Sequence, residues 1–200
     1  MAPVIVDPDA IRAFGSAAAL EAWYRRHHDS AAELWLRVYK KGSGIASVST
    51  AEALDVALCW GWIDAIRKSY DAESFLQRYT PRKKNSIWSK INIGHVARLR
   101  AAGRMQPAGE AQVTLAQQDG RWANAYGGFK ADDFPADLLA AIEAEPEALA
   151  LFERLTAQNR FSLAFRTHNM KTAAGRARKI AELVAMLARG ETIHPNGKAR

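Results

Sequence analysis

The stretch STAEALDVALCWGWIDAIRKSYDAESFLQRYTP, residues 49–81, decides the fold class. It opens on Ser49-Thr50-Ala51-Glu52, a serine followed three residues later by a glutamate. That spacing predicts a capping box, in which each side chain takes up a backbone N–H that the first helical turn leaves over. The helix it starts carries Leu54, Leu58 and Trp62 at intervals of four, with Ala57 and Gly61 beside them. Then the period falls to two. Ile66–Tyr70 and Ser74–Thr80 read as strands joined through Asp71-Ala72-Glu73. Pro81 ends the second strand, because proline has no ladder donor. A helix leading into a hairpin, without repeated strand–helix alternation, predicts an α+β fold with a small antiparallel sheet and helices packed on it.

Working outward, ELWLRVYK at 33–40 alternates, with Leu34, Leu36 and Val38 facing one way and Trp35, Arg37 and Tyr39 the other. Ser16 is placed to cap a helix to about His28, with Leu20, Trp23, Tyr24 and His27 on one side. Downstream, Ser86 is expected to cap a helix to about Ala102, whose inner face is Trp88, Ile91, His95 or Val96, and Leu99. Pro107 suits the first turn of another helix, to about Gln117. Gly127-Gly128 marks the expected boundary between an α+β domain, residues 1–128, and an all-helical module, residues 129–200. In that module Pro135 and Pro146 open helices, and a short apolar segment spans Phe161–Phe165. Thr172 caps a last helix to Arg189, with Ile180, Leu183, Val184 and Leu187 inward. The tail after Gly190 is expected to be loose.

The composition is that of an ordinary globular protein, 48% apolar and 24% charged. One cysteine, Cys59, excludes an internal disulfide framework and a cysteine-based zinc cluster. Asp7 and Asp9 stand where a signal peptide would need cations, and no apolar run reaches the roughly 18 residues of a membrane helix. A cytoplasmic protein with no membrane span is expected. The net charge of +7 is segregated. Residues 67–104 carry 10 basic and 2 acidic side chains, and residues 161–200 carry 8 and 2. Between them, residues 105–160 carry 4 and 9. Segregation of this kind suggests a site for an anion, or surfaces that meet.

The candidate site lies in and just before the first basic block. In RYTPRKKNSIWSKIN, residues 78–92, cations alternate with Tyr79, Ile87, Trp88 and Ile91. Arg82, Lys83 and Lys84 would flank the free N–H groups of the helix capped by Ser86, an arrangement suited to an anion. The plainer reading is a solvated charged turn. Trp60 and Trp62, two apart on a helix, cannot face the same way, so one would be core and the other would wall a cleft. Asp64, at the helix end, calls for a cation such as Arg67, Lys68 or Arg78, or else serves as a catalytic acid or base. The expected ligand-binding set is Trp60, Trp62, Asp64, Arg78, Tyr79, Arg82, Lys84, Ser86, Trp88 and Lys90. Cys59 reads as a buried inert thiol, and Arg176, Arg178 and Lys179 as cations paired with acidic residues among 143–153. The histidines lack ligand spacing, so neither metal nor cofactor is expected.

The segments HHDSAAELWLRVYKKGSG, EALDVALCWGWIDAIRKS, QRYTPRKKNSIWSKIN, GRMQPAGEAQV, DGRWANAY and RKIAELVAMLARGE together resemble the YdeI/OmpD-associated, or bacteriocin-protection, family. The resemblance spans residues 18–191, and GWID followed by TPR-x-x-x-S-x-W-S is its most specific part. The chain departs from the family's Ala-Lys-x-x-x-T-R stretch before the last helix, reading Asn169-Met170-Lys171-Thr172-Ala173-Ala174-Gly175-Arg176. The resemblance implies tolerance of bacteriocin-like or envelope stress and association with a porin, and no defined reaction. The residues and the resemblance together predict a non-enzymatic stress-protection protein. It would bind an anionic small molecule or an acidic protein surface through a basic aromatic cleft. The alternatives are a small-molecule enzyme with Asp64 as general base, and single-stranded nucleic-acid binding.

Overall fold

A computed structural model describes residues 5–128 and 134–197. They form two units. The first is built from the described residues of Met1–Trp88 with Asn92–Asn124, the second from Ser89–Ile91 with the described residues of Ala125–Arg200. The expected boundary between residues 128 and 129 touches residues 129–133, which lie outside the described residues.

The first unit holds a four-stranded sheet, β1 (Ile11–Ala13), β2 (Leu34–Tyr39), β3 (Trp62–Ser69) and β4 (Ser74–Pro81), in the order β1-β2-β4-β3. β4 runs antiparallel to both β2 and β3, as expected of a hairpin beside an alternating strand. β1 pairs parallel with β2, Ile11 opposite Trp35, an edge strand the three-residue stretch IRA gave no signal for. Helix α1 (Ala17–His27) is capped by Ser16 and α2 (Thr50–Cys59) by the full Ser49–Glu52 box. They lie side by side, and α2 packs on β3. Leu20, Tyr24, Leu34, Leu36, Val56 and Trp62 form the buried interior. α3 (Lys90–Ala101) buries Val96 and Leu99, while Ile91, expected on the inner face, is exposed. α4 (Pro107–Gln118) starts at its proline.

Two corrections to the sequence reading matter for the site. α2 stops at Cys59, not at Trp62. Gly61 turns the chain at φ +78°, and a Cβ there would lie 2.8 Å from the carbonyl oxygen of Ala108. Glycine therefore permits both the turn and the approach of α4. The chain leaves as β3 four residues earlier than alternation suggested, and Asp64 is a strand residue. Second, α3 begins at Lys90, so Ser86 does not cap it. The Ser86 hydroxyl instead accepts the Lys83 N–H at 2.9 Å and closes the turn after Pro81.

The second unit is all-helical: α5 (Ala136–Glu143), α6 (Pro146–Phe152), α7 (Ala157–His168) and α8 (Ala173–Ala188). Leu138, Ile142, Phe152, Leu155, Leu163, Leu183 and Leu187 are its core. Phe161–Phe165, read as a short apolar segment, is the middle of α7, whose cap is Thr156. The tail is tied down through residue 196. The buried Asn159 donates to the His194 carbonyl at 3.1 Å and accepts the His194 N–H at 2.9 Å. Asn196 accepts the Thr156 N–H at 2.9 Å. Arg176 pairs with Asp137, outside the acidic interval expected, and Lys179 pairs with Glu182. Among the described residues no helix is long and apolar enough to cross a membrane.

Candidate functional site

The structure separates the residues that the sequence grouped. Trp60 and Trp62 are both core. The Trp62 indole donates to the His28 carbonyl at 3.0 Å and stands edge-on to Tyr24 at 5.2 Å, while Trp60 packs on the His28 ring at 4.7 Å. Ending the helix at Cys59 allows this, since a strand residue and a C-cap residue are not bound by helical angles. Arg78 donates to Glu33 at 2.7 Å. Arg82 is buried, with its guanidinium 3.5 Å above the Trp88 ring and one nitrogen donating to the Ile87 carbonyl at 3.3 Å. Lys83 and Lys84 project into solvent, and Lys90 is an exposed residue of the second unit. Trp88 is 2% exposed and offers no face for a base to stack on.

Asp64 and Tyr79 meet elsewhere, in a hollow of about 260 Å³ lined also by Thr50, Ala51, Leu54, Arg67, Gln77 and His95. The sheet builds it. Asp64 lies directly across from Tyr79, and Arg67 across from Gln77. Asp64 and Arg67 are three apart and would face opposite ways on a regular strand, but a bulge lies between them and returns Arg67 to the Asp64 face. Gln77, itself 3% exposed, holds that bulge: its amide nitrogen reaches the Ala65 carbonyl at 3.3 Å and its oxygen accepts from Arg67 Nε at 3.1 Å. Arg67 lines the hollow with Nε held on Gln77 and its guanidinium 4.5 Å over the Phe75 ring.

The other walls add donors. α2 presents its first turn, whose Glu52 N–H is taken by Ser49 while the Thr50 and Ala51 N–H groups have no partner among the described residues. Tyr79 lines the hollow although it is only 1% exposed, and its hydroxyl makes no hydrogen bond among the described residues. Burial, then the charge of Asp64, push that phenol upward, so it stays a neutral O–H donor. His95 Nδ1 faces Arg98 Nη2 at 3.1 Å.

Asp64 is the acidic member. Protein crowding lifts its carboxyl above the ordinary carboxylate range, against its own backbone N–H and the charges of Arg82 and Arg67. The residue keeps exposed surface at the mouth, so water limits the lift. Among the described residues it has no ion-pair partner, because Arg67 is held by Gln77 and Arg78 by Glu33. The hollow is thus a cluster of donors around one carboxyl. Among the described residues no group of three or more His, Cys, Asp or Glu could hold a metal ion. Sequence reasoning missed Thr50, Ala51, Leu54 and Gln77 as wall residues. It named Arg67 only as an ion-pair partner and His95 only as a helix-face candidate.

Residues 12–112, which include the whole hollow, match the family described as a domain of unknown function, DUF8412. Residues 133–190 match the family described as "Bacteriocin-protection, YdeI or OmpD-Associated", the lineage its motifs resembled, here confined to the helical unit. No curated protein and no solved structure matches the chain.

Proposed function

We propose, for a chain that belongs to the DUF8412 family and carries a bacteriocin-protection, YdeI or OmpD-associated module, that it is a non-enzymatic binding protein for a small anionic molecule. The ligand sits in the Asp64 hollow rather than on the Arg82 turn. One observation carries the reading: a 99% buried tyrosine, whose hydroxyl has no hydrogen-bond partner among the described residues, lines the same hollow as an arginine and an unfilled helix start. Buried polar groups are rarely left unsatisfied without a reason, and a bound anion would satisfy all three. The biological setting we attach to it is cytoplasmic stress protection, in keeping with the description of the helical module's family.

The test is amide chemical-shift titration of the full chain with small carboxylates and with sulfate, up to tens of millimolar. The Thr50, Ala51 and Tyr79 amides should move together. Tyr79→Phe and Arg67→Gln should each weaken binding by about tenfold, the loss of one hydrogen bond to a charged group, while the melting point holds. Silence of those amides toward every anion tried would end the reading. A second reading, catalysis with Asp64 as general base, draws support from its lifted pKa in a hollow where, among the described residues, it has no ion-pair partner. It requires a reaction that Asp64→Asn abolishes while ligand binding persists.

A further inference from the structure

The hollow is not a plain anion site, because its one acidic side chain faces the place where the anion would lie. An anion without a proton to donate would set its charge beside the Asp64 carboxylate, and that repulsion would offset part of what the donors supply. The ladder places Asp64 directly opposite Tyr79, so their side chains lie about 5 Å apart at Cβ. Asp64, Arg67 and Tyr79 line one hollow, so a ligand held there by the Tyr79 hydroxyl and Arg67 also meets Asp64.

Resting on the anion-binding reading above, we infer that the ligand is a small carboxylate with a hydrogen-bond donor on its neighbouring carbon, an α-hydroxy or α-amino acid in kind. The carboxylate takes the Tyr79 hydroxyl, the Arg67 guanidinium and the first-turn amides of α2. The donor group, O–H or N–H₃⁺, bonds Asp64 and turns a repulsion into an attraction. Gln77 is the weaker competitor for that donor, a neutral amide oxygen already engaged by Arg67 Nε beside an ionisable carboxyl. The size agrees. About 260 Å³ is the liquid share of roughly nine waters, room for an acid of a few carbons. Leu54 and the Ala51 methyl give its hydrocarbon part an apolar wall.

Propionate, lactate and alanine are nearly the same shape and differ in the group on the α-carbon: hydrogen, hydroxyl or ammonium. Sulfate is an anion with no proton to give at neutral pH. Each is titrated into the full chain and followed at the Thr50 and Ala51 amides. Lactate or alanine should bind at least about tenfold more tightly than propionate or sulfate, one charge-assisted hydrogen bond's worth. In Asp64→Ala the advantage should disappear, with propionate binding kept or improved. Which of lactate and alanine leads tells hydroxyl from ammonium. Equal binding of propionate, lactate and alanine, or a preference for sulfate, overturns this inference and leaves the anion-binding reading standing. No binding by any of the four removes both.

Discussion

Gly109→Ala should destabilise the first unit, although alanine is the better helix former. Gly109 lies in the first turn of α4, beside the last turn of α2. A Cβ added there would stand 2.2 Å from the Cys59 carbonyl oxygen and 2.8 Å from that of Leu58. Both obstacles are backbone, so no rotamer change relieves them. The first contact lies 0.8 Å inside the 3.0 Å that real Cβ atoms keep. α4 must back away from α2, straining the Gln106 N–H to Cys59 carbonyl bond of 3.1 Å. Overpacking of this kind costs about 1–3 kcal/mol or more, against roughly 1 kcal/mol gained from helix propensity. Gly94 on α3 is the control, since a Cβ there meets nothing within 4 Å. Gly94→Ala should stabilise by about 0.5–1 kcal/mol. All six tryptophans fall in the first unit, so tryptophan fluorescence in a urea titration reports that unit alone. The two midpoints should move in opposite directions, separated by on the order of 1 M. Equal shifts of the same sign would refute the close approach of α2 and α4.

Three further outcomes are expected. Ser49→Ala removes the side-chain cap on the Glu52 N–H, leaving the Glu52 carboxylate on the residue-49 backbone N–H, and should lower stability by about 1 kcal/mol in the same fluorescence titration; no change would mean the box is not formed in solution. Asp64→Asn should change the pH dependence of stability. A carboxyl whose folded pKa is raised holds its proton longer in the native state, so its ionisation lowers stability as pH rises from the ordinary carboxylate value through the lifted one. The variant should therefore gain relative to wild type above that window and not below it, and a relative loss at neutral pH would contradict the environment described. Finally, Cys59 is 2% exposed with its thiol pushed up to about 11 by burial, so a thiol reagent should modify it only after denaturation. Rapid labelling of the native chain would show that α2 opens.

The sequence by itself determined the elements whose signals are local. Capping residues satisfy N–H groups within one turn, which is why Ser16, Ser49 and Thr172 stand where they were expected. Alternation over ELWLRVYK and the hairpin around Asp71 depend on neighbours in the chain, and both formed. Inner-face spacing on α8 put Leu183 and Leu187 in the core for the same reason.

Only the tertiary structure decided where α2 stops, where α3 starts and which side chains share a space. The helix pattern ran on to Trp62 because Leu54, Leu58 and Trp62 keep helical spacing; the approach of α4 at Gly61 breaks it, and Gly61 and Ala108 are 47 residues apart. Arg78 and Arg82 read as ligand cations because charge is visible in one dimension, whereas Glu33 and the Trp88 ring that engage them become neighbours through strand pairing and a loop. Arg67 joins Asp64 through a bulge, and a bulge is set by the partner strand and by Gln77 beneath it. A donor-lined hollow is a property of converging surfaces, and convergence depends on contacts between residues far apart in the chain.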